Sequence, residues 1–247
     1  MQQSTGGLSE RYLDDNLWST IIRQIEGIHD VYTVLGNISS LGRAQAVREE
    51  AMREASRLLG DKPRLVVDVG AGPGDSVRTA ARLFSLQYIV AVEPSPRLAH
   101  YSCSGCRHIC DAVQAVAEYL PLRSDAADLA TAFYAARDYK RPREGIKEMV
   151  RVARAVAIGD IFLPESETRR IAVKIWVCYV APAIAAVIAT GRGRNYRGIC
   201  HSLKGWCSVR QLAYLVAETI RETGHSPLLV YREVMLGGLG YVAAVKA

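Results

Sequence analysis

The stretch Asp68-Val69-Gly70-Ala71-Gly72-Pro73-Gly74-Asp75 sets two acids, three glycines and a proline directly after the apolar residues Leu65, Val66 and Val67. A second apolar run, Ile89 to Val92, ends on Glu93 and Pro94. A strand feeding a glycine-rich turn, with a strand-terminal acid about twenty residues on, is an arrangement that binds a ribose: the glycines admit the ligand close to the backbone and the acid accepts its hydroxyls. The spacing narrows the ligand. A pyrophosphate site reads G-x-G-x-x-G, whereas the third position here is Asp75, whose charge repels an anion, and Pro73 removes a backbone donor. No G-K-[ST] follows, which excludes a P-loop. What remains is a ligand with ribose hydroxyls, no phosphate and a positive charge. S-adenosylmethionine fits that description.

A second group of reactive residue types is Cys103, Cys106, His108 and Cys110. Structural zinc sites separate two ligand pairs more widely, so no metal is expected, and the six cysteines are expected as thiols in a cytoplasmic protein. His29, His100, His108 and His225 have no partner at a motif spacing and are read as surface or core residues.

The elements that must hold these residues follow from periodicity. Strands are expected at 65–69, 88–92, 112–116, 128–133, 155–162, 227–234 and 239–246, with helices between most of them. This predicts an α/β fold: a Rossmann-like, doubly wound seven-stranded sheet ending in an antiparallel hairpin. Leu17, Trp18, Ile21, Ile22, Ile25 and Ile28 predict a helix within residues 11–35 that leads into a loop, and Val47, Ala51, Ala55 and Leu58 predict another over 44–59 with Gly60 as its C-cap. The stretch Ser208 to Gln211 reads as a capping box opening a last helix.

The chain of 247 residues, 49% of them hydrophobic, suits a single domain with an ample core. Within it, 1–60 reads as an N-terminal helical cap, 61–164 as the cofactor-binding core, 165–207 as a substrate lid and 208–247 as the final helix and strand hairpin. Residues 1–15 lack a basic-then-apolar leader pattern, so export is not expected. The net charge of +6 is dispersed among acids and joined to no aromatic stripe, so nucleic acid is not expected as a partner. Ile175 to Thr190 is an apolar run with Pro182 inside it, too short for a span of about twenty residues and suited to covering a greasy pocket or dipping into a membrane face.

The glycine turn and the strand-terminal Glu93 resemble motifs I and II of class I methyltransferases. Further segments resemble the demethylmenaquinone and ubiquinone C-methyltransferase family, over roughly residues 28–247. Tyr32 to Gly42, ending in Ser40-Leu41-Gly42, has the length of that family's Y-D-x-M-N-x-x-x-S-L-G segment. Leu120-Pro121-Leu122 stands for its L-P-F, Asp128 for its S-F-D aspartate, Arg137 for the arginine of F-G-[LI]-R-N, and Glu148-Met149-Val150-Arg151-Val152 for E-M-x-R-V. Tyr196-Arg197 and Ser202 resemble Y-R-Y-L-P-E-S, and Gly237-Gly238 resembles T-G-G-I. The chain departs from the family where G-D-A becomes Ala115-Val116-Ala117, where F-G-[LI]-R-N becomes Tyr134-Ala135-Ala136-Arg137-Asp138, and where the P-G-G turn before the fifth strand is shortened.

The resemblance implies a cofactor site of Asp68, Gly70, Gly72, Gly74, Glu93, Pro94, Val116, Ala117 and Tyr134, with adenine held by the Ala117 amide and apolar packing, or by Asp111 if that loop shifts register. It also implies transfer of a methyl group to a ring carbon of a prenylated quinol. Arg137, a guanidinium that stays protonated and is therefore a poor base, then stabilises the oxyanion; Asp138, His201 or water takes the proton, and Tyr32 closes over the ring. A structural Arg137–Asp138 pair is the alternative. The expected partner is a lipophilic quinol, with peripheral contact to the inner membrane face and a homodimer left open. The competing readings are a methyltransferase acting on nitrogen or oxygen of another small molecule or RNA, and a cofactor-binding protein without catalysis.

Overall fold

A computed structural model describes residues 12–188 and 198–247. The near-continuous apolar strands β1 (Leu65–Val69), β2 (Tyr88–Val92) and β4 (Ala127–Phe133) have the composition of strands covered on both faces. They pair in parallel, β2 with β1 and β1 with β4, while β3 (Cys110–Val113) flanks β2 and β5 (Ala153–Ile161) flanks β4. The hairpin of β6 (Pro227–Val234) and β7 (Leu239–Lys246) adds antiparallel to β5 through β7. The sheet order is β3-β2-β1-β4-β5-β7-β6. Strand order reverses between β1 and β4, which opens a crevice at the carboxyl ends of both, the position where open α/β sheets bind ligands.

Four of the seven strands, β1, β2, β6 and β7, have the predicted ends. β3 lies earlier than predicted, because its pairing to β2 runs from Ile89–Cys110 to Val92–Val113 and leaves Ala115-Val116-Ala117 in the loop beyond the sheet. At the N-terminus, Asp14 accepts the amides of Asn16 and Leu17 at 3.0 and 2.9 Å and starts α1 (Asp15–Glu26). The segment predicted as a loop then holds a second helix, α2 (Tyr32–Ser39), which buries Leu35. α3 (Ala44–Leu59) ends at Gly60, whose φ of +77° gives the left-handed C-cap that its sequence predicts.

Between the strands lie α4 (Asp75–Leu83), α5 (Pro96–Ser102) and α6 (Pro142–Val152). The expected capping box closes at Ser208 and Gln211, with bonds of 2.9 and 3.2 Å, and opens the helix Val209–Glu222. The motifs Leu120-Pro121-Leu122 and Glu148 to Val152 clamp each other: the Leu120 amide donates to Glu148 at 2.9 Å, and Arg151 donates to the carbonyls of Leu120 and Leu122.

The apolar run belongs to a longer helix than its composition suggests. α7 (Glu167–Ile175) continues through a π-turn (Trp176–Val180) into α8 (Ala181–Ile188), and the 21 residues Glu167–Val187 are long and apolar enough by length and composition to cross a membrane. One face packs inward: Ala181 and Ala185 cluster with Ile28 and Leu35, and the Trp176 indole donates to the Ser39 carbonyl at 2.8 Å. Ile171, Ile175, Tyr179 and Val187 on the other face are exposed.

The cysteines depart from expectation. Cys103 is bonded to Cys110 and Cys178 to Cys200, with Cα separations of 5.5 and 5.1 Å that suit disulfides, while Cys106 and Cys207 are buried thiols. Compartment reasoning led to free thiols; the turn after α5, which returns Cys110 beside Cys103, is a tertiary feature that reasoning does not contain.

Candidate active site

The loop after β1 is stitched to the end of β2. The amides of Gly70 and Ala71 both donate to the Val92 carbonyl, at 2.8 and 3.0 Å, and Gly70 takes a φ of +75°. The Gly72 amide donates to Glu93 Oε2 at 2.8 Å and the Ser95 amide to Oε1 at 3.0 Å. Each Glu93 oxygen keeps a free lone pair. A Cβ on Gly72 would meet nothing within 4 Å, so this glycine opens onto space.

That space is a cavity of about 580 Å3. Gly70, Gly72, Glu93 and Pro94 form its floor, Val116 and Ala117 one wall, and Tyr134 and Asp138, beyond β4, the other. Its roof holds the expected Tyr32 of α2 together with Trp18, Ile22 and Ile25 of α1, which sequence reasoning did not assign to the site. The apolar spacing along α1 signals a buried face but not what it covers. Glu26 of α1 also accepts a hydrogen bond from the Ser95 hydroxyl, which ties the roof to the floor.

The charge of the cavity is one-sided. Glu93, Glu118 and Asp138 line it, and among the described residues no lysine or arginine does. Burial raises the Glu93 pKa to about 7, against the two amide bonds that lower it. Glu118 answers the acid absent from Ala115-Val116-Ala117: it sits one residue beyond, lines the cavity, and accepts the Arg141 amide at 2.8 Å through Oε1. Asp111, the alternative by register shift, instead takes the Tyr88 hydroxyl on the exposed side of β3.

Other expected site residues sit at the margins. Asp68 lies beneath the floor, outside the lining, and accepts the Thr131 hydroxyl at 2.6 Å; burial raises its pKa to about 7. Gly74 is absent from the lining too. A Cβ there would lie 2.1 Å from the Ser102 carbonyl oxygen, so Gly74 permits α5 to approach the loop.

Arg137 faces away, into an adjoining cavity that shares Tyr32 and Tyr134 with the first. The expected Arg137–Asp138 contact is present at 3.3 Å, but a second carboxylate, Asp160 at the end of β5, bonds the guanidinium directly. Burial acts to lower the Arg137 pKa, and the two carboxylates more than offset it, so the group stays charged. Asp138 Oδ1 is buried without a hydrogen-bond partner. His201 is exposed, and Tyr196 and Arg197 lie outside the described residues.

Residues 67–157 match the family model described as a methyltransferase domain. A demethylmenaquinone methyltransferase of Corynebacterium urealyticum is 25% identical over 185 residues, 74% of this chain and 76% of that one. Among solved structures, the plantazolicin methyltransferase BpumL in complex with SAH superposes with a TM-score of 0.60 at 9% identity, covering 94% of this chain and 98% of that one. A SAM-dependent methyltransferase from Thermotoga maritima gives 0.55 at 17% identity, covering 91% and 99%.

The fold, the glycine loop joined to an acid-ended second strand, and the matched domain define the class: this is a class I methyltransferase, an enzyme whose methyl donor is S-adenosylmethionine. The residues fit that donor. Glu93 has lone pairs for two ribose hydroxyls, Gly72 leaves room for the ligand, Val116 and Ala117 offer apolar contact to an adenine, and the acidic lining suits a sulfonium.

Proposed function

We propose that this enzyme methylates a ring carbon of a lipophilic quinol. The observation that carries the reading is Asp138: a carboxylate with one unpartnered oxygen, lining an apolar-roofed cavity next to a buried arginine. Support comes also from the spacing of the motifs between Tyr32 and Val152 and from the similarity to a demethylmenaquinone methyltransferase.

When bound, S-adenosylmethionine supplies an electrophilic methyl group on a cationic sulfur. Glu93 fixes the ribose and Glu118 is placed to accept from the adenine amine. Trp18, Ile22 and Ile25 exclude water, which strengthens every electrostatic interaction in the cavity. A quinol carbon becomes a nucleophile as its hydroxyl loses a proton, and in this reading Asp138 takes that proton. Arg137, held by Asp160, positions the Asp138 carboxylate from 3.3 Å. Tyr32 packs against the acceptor from the roof. The quinol enters from a membrane surface, beside the exposed apolar face of α7 and α8.

The test is incubation with methyl-labelled donor and a short-chain reduced demethylmenaquinone. Label on carbon with wild type, and turnover reduced about 100-fold or more in Asp138→Asn, is the expected result. Label on oxygen, or Asp138→Asn turning over like wild type, rejects the reading.

A further inference from the structure

The second cavity, of about 430 Å3, lies between α2 and the start of α3 on one side and the ends of β4 and β5 on the other. Two arginines face it, and they differ in what neutralises them. Arg137 is bonded to Asp160 and flanked by Asp138. Arg48 of α3 is only 6% exposed, and its guanidinium stands 4.8 Å from the centre of the Tyr134 ring. Its carboxylate neighbour, Asp75, is 3.7 Å away, beyond hydrogen-bond reach. Asp75 is meanwhile engaged by the Thr33 hydroxyl at 2.9 Å and by Arg78 at 2.5 Å. Arg48 Nε has no hydrogen-bond partner.

A guanidinium has five donors, and leaving one of them, here Nε, unfilled in a buried site is unfavourable unless a ligand fills it. Its planar fork suits a carboxylate or phenolate oxygen. We propose that Arg48 binds an anionic oxygen of the methyl acceptor in this second cavity, making it the positioning cation for an acceptor that reacts as a phenolate-type anion. The inference rests on the quinol reading and adds the group that holds the charge. The acceptor hydroxyl at Arg48 breaks its O–H bond with the proton passing to water and the electron pair staying on the oxygen that Arg48 faces, while Asp138, on the first cavity, serves the quinol's other hydroxyl. Nothing is oxidised or reduced in that step.

The probe is para-nitrophenol, whose ionised form is coloured, added to the enzyme saturated with S-adenosylhomocysteine. Wild type is expected to lower the apparent pKa of the bound phenol by about one unit. Arg48→Met should abolish that shift and weaken phenolate binding roughly 10-fold, with S-adenosylhomocysteine affinity by calorimetry unchanged, while Arg48→Lys restores part of the shift. No shift in wild type overturns the proposal without any variant. So does an Arg48→Met protein that loses S-adenosylhomocysteine affinity to the same degree, because the oxygen then belongs to the donor's carboxylate. If the shift is present and labelled methyl still fails to reach a quinol, the quinol reading falls and the phenolate site stands.

Discussion

The Gly72 amide and Glu93 Oε2, 2.8 Å apart, join the turn after β1 to the acid that ends β2. The Ser95 amide fixes the other oxygen, so the carboxylate is oriented before any ligand arrives. This preorganisation makes Glu93 the side chain whose replacement is expected to cost donor binding most.

Replacing Glu93 by Gln puts an NH2 group where one backbone amide now donates and removes the charge that the ribose hydroxyls address. S-adenosylhomocysteine affinity is expected to fall about 10- to 100-fold by calorimetry. In wild type, affinity should rise with pH until Glu93 is ionised near pH 7, and Glu93→Gln should lose most of that rise.

The same burial sets a pH dependence of stability. Glu93 and Asp68 have pKa values of about 7 when folded, above their ordinary 4.5 and 3.8. The folded protein therefore holds more protons than the unfolded chain between about pH 4 and 7, and ligand-free stability should fall as pH rises through that window. Urea unfolding at a series of pH values reads the slope. Glu93→Gln should flatten it in part.

Much of this site is legible in the sequence because it is local. Gly70, Gly72 and Glu93 carry their geometry in a strand, a turn and a strand end, and the structure brings them to one cavity. What escapes is the choice of partners made through space. Asp160 lies on β5, 23 residues from the Arg137 it bonds, and no spacing rule links them. Trp18 roofs a floor built around Gly72 and Glu93, and Arg48 reaches a cavity whose other wall includes Ile161. The helix α2 was hidden because a Tyr-Thr-Val run and an internal glycine favour extended or irregular chain, and packing of Leu35 and Ile28 against Ala181 and Ala185 outweighs that preference.

Arg137 and Asp160 are both almost fully buried, so removing the Asp160 charge takes away one of the two carboxylates that offset the Arg137 cation and leaves Asp138 at 3.3 Å. Asp160→Asn is expected to destabilise the fold by about 3 kcal/mol in urea titration. Arg137→Met in the same background should recover part of the loss, because it removes a buried cation that has lost one of its two carboxylates.

Gly74→Ala tests the packing role assigned to that glycine. The new methyl would fall on the Ser102 carbonyl, at a φ of +86° that disfavours any side chain. A loss of more than about 2 kcal/mol is expected, with donor affinity falling only as the loop shifts. Gly72→Ala, which meets open space but fills the ligand's side of the loop, should reverse the balance: a smaller loss of stability and a larger loss of S-adenosylhomocysteine affinity.

The account depends on a crevice whose lining, among the described residues, carries carboxylates and no cation, and calorimetric titration of the wild-type protein at neutral pH with S-adenosylhomocysteine and, separately, NAD tests that most directly. Saturable one-to-one binding of the thioether at micromolar concentration, with no heat from the dinucleotide, is the predicted result. Dinucleotide binding that Glu93→Gln abolishes, with no response to the thioether, would contradict it.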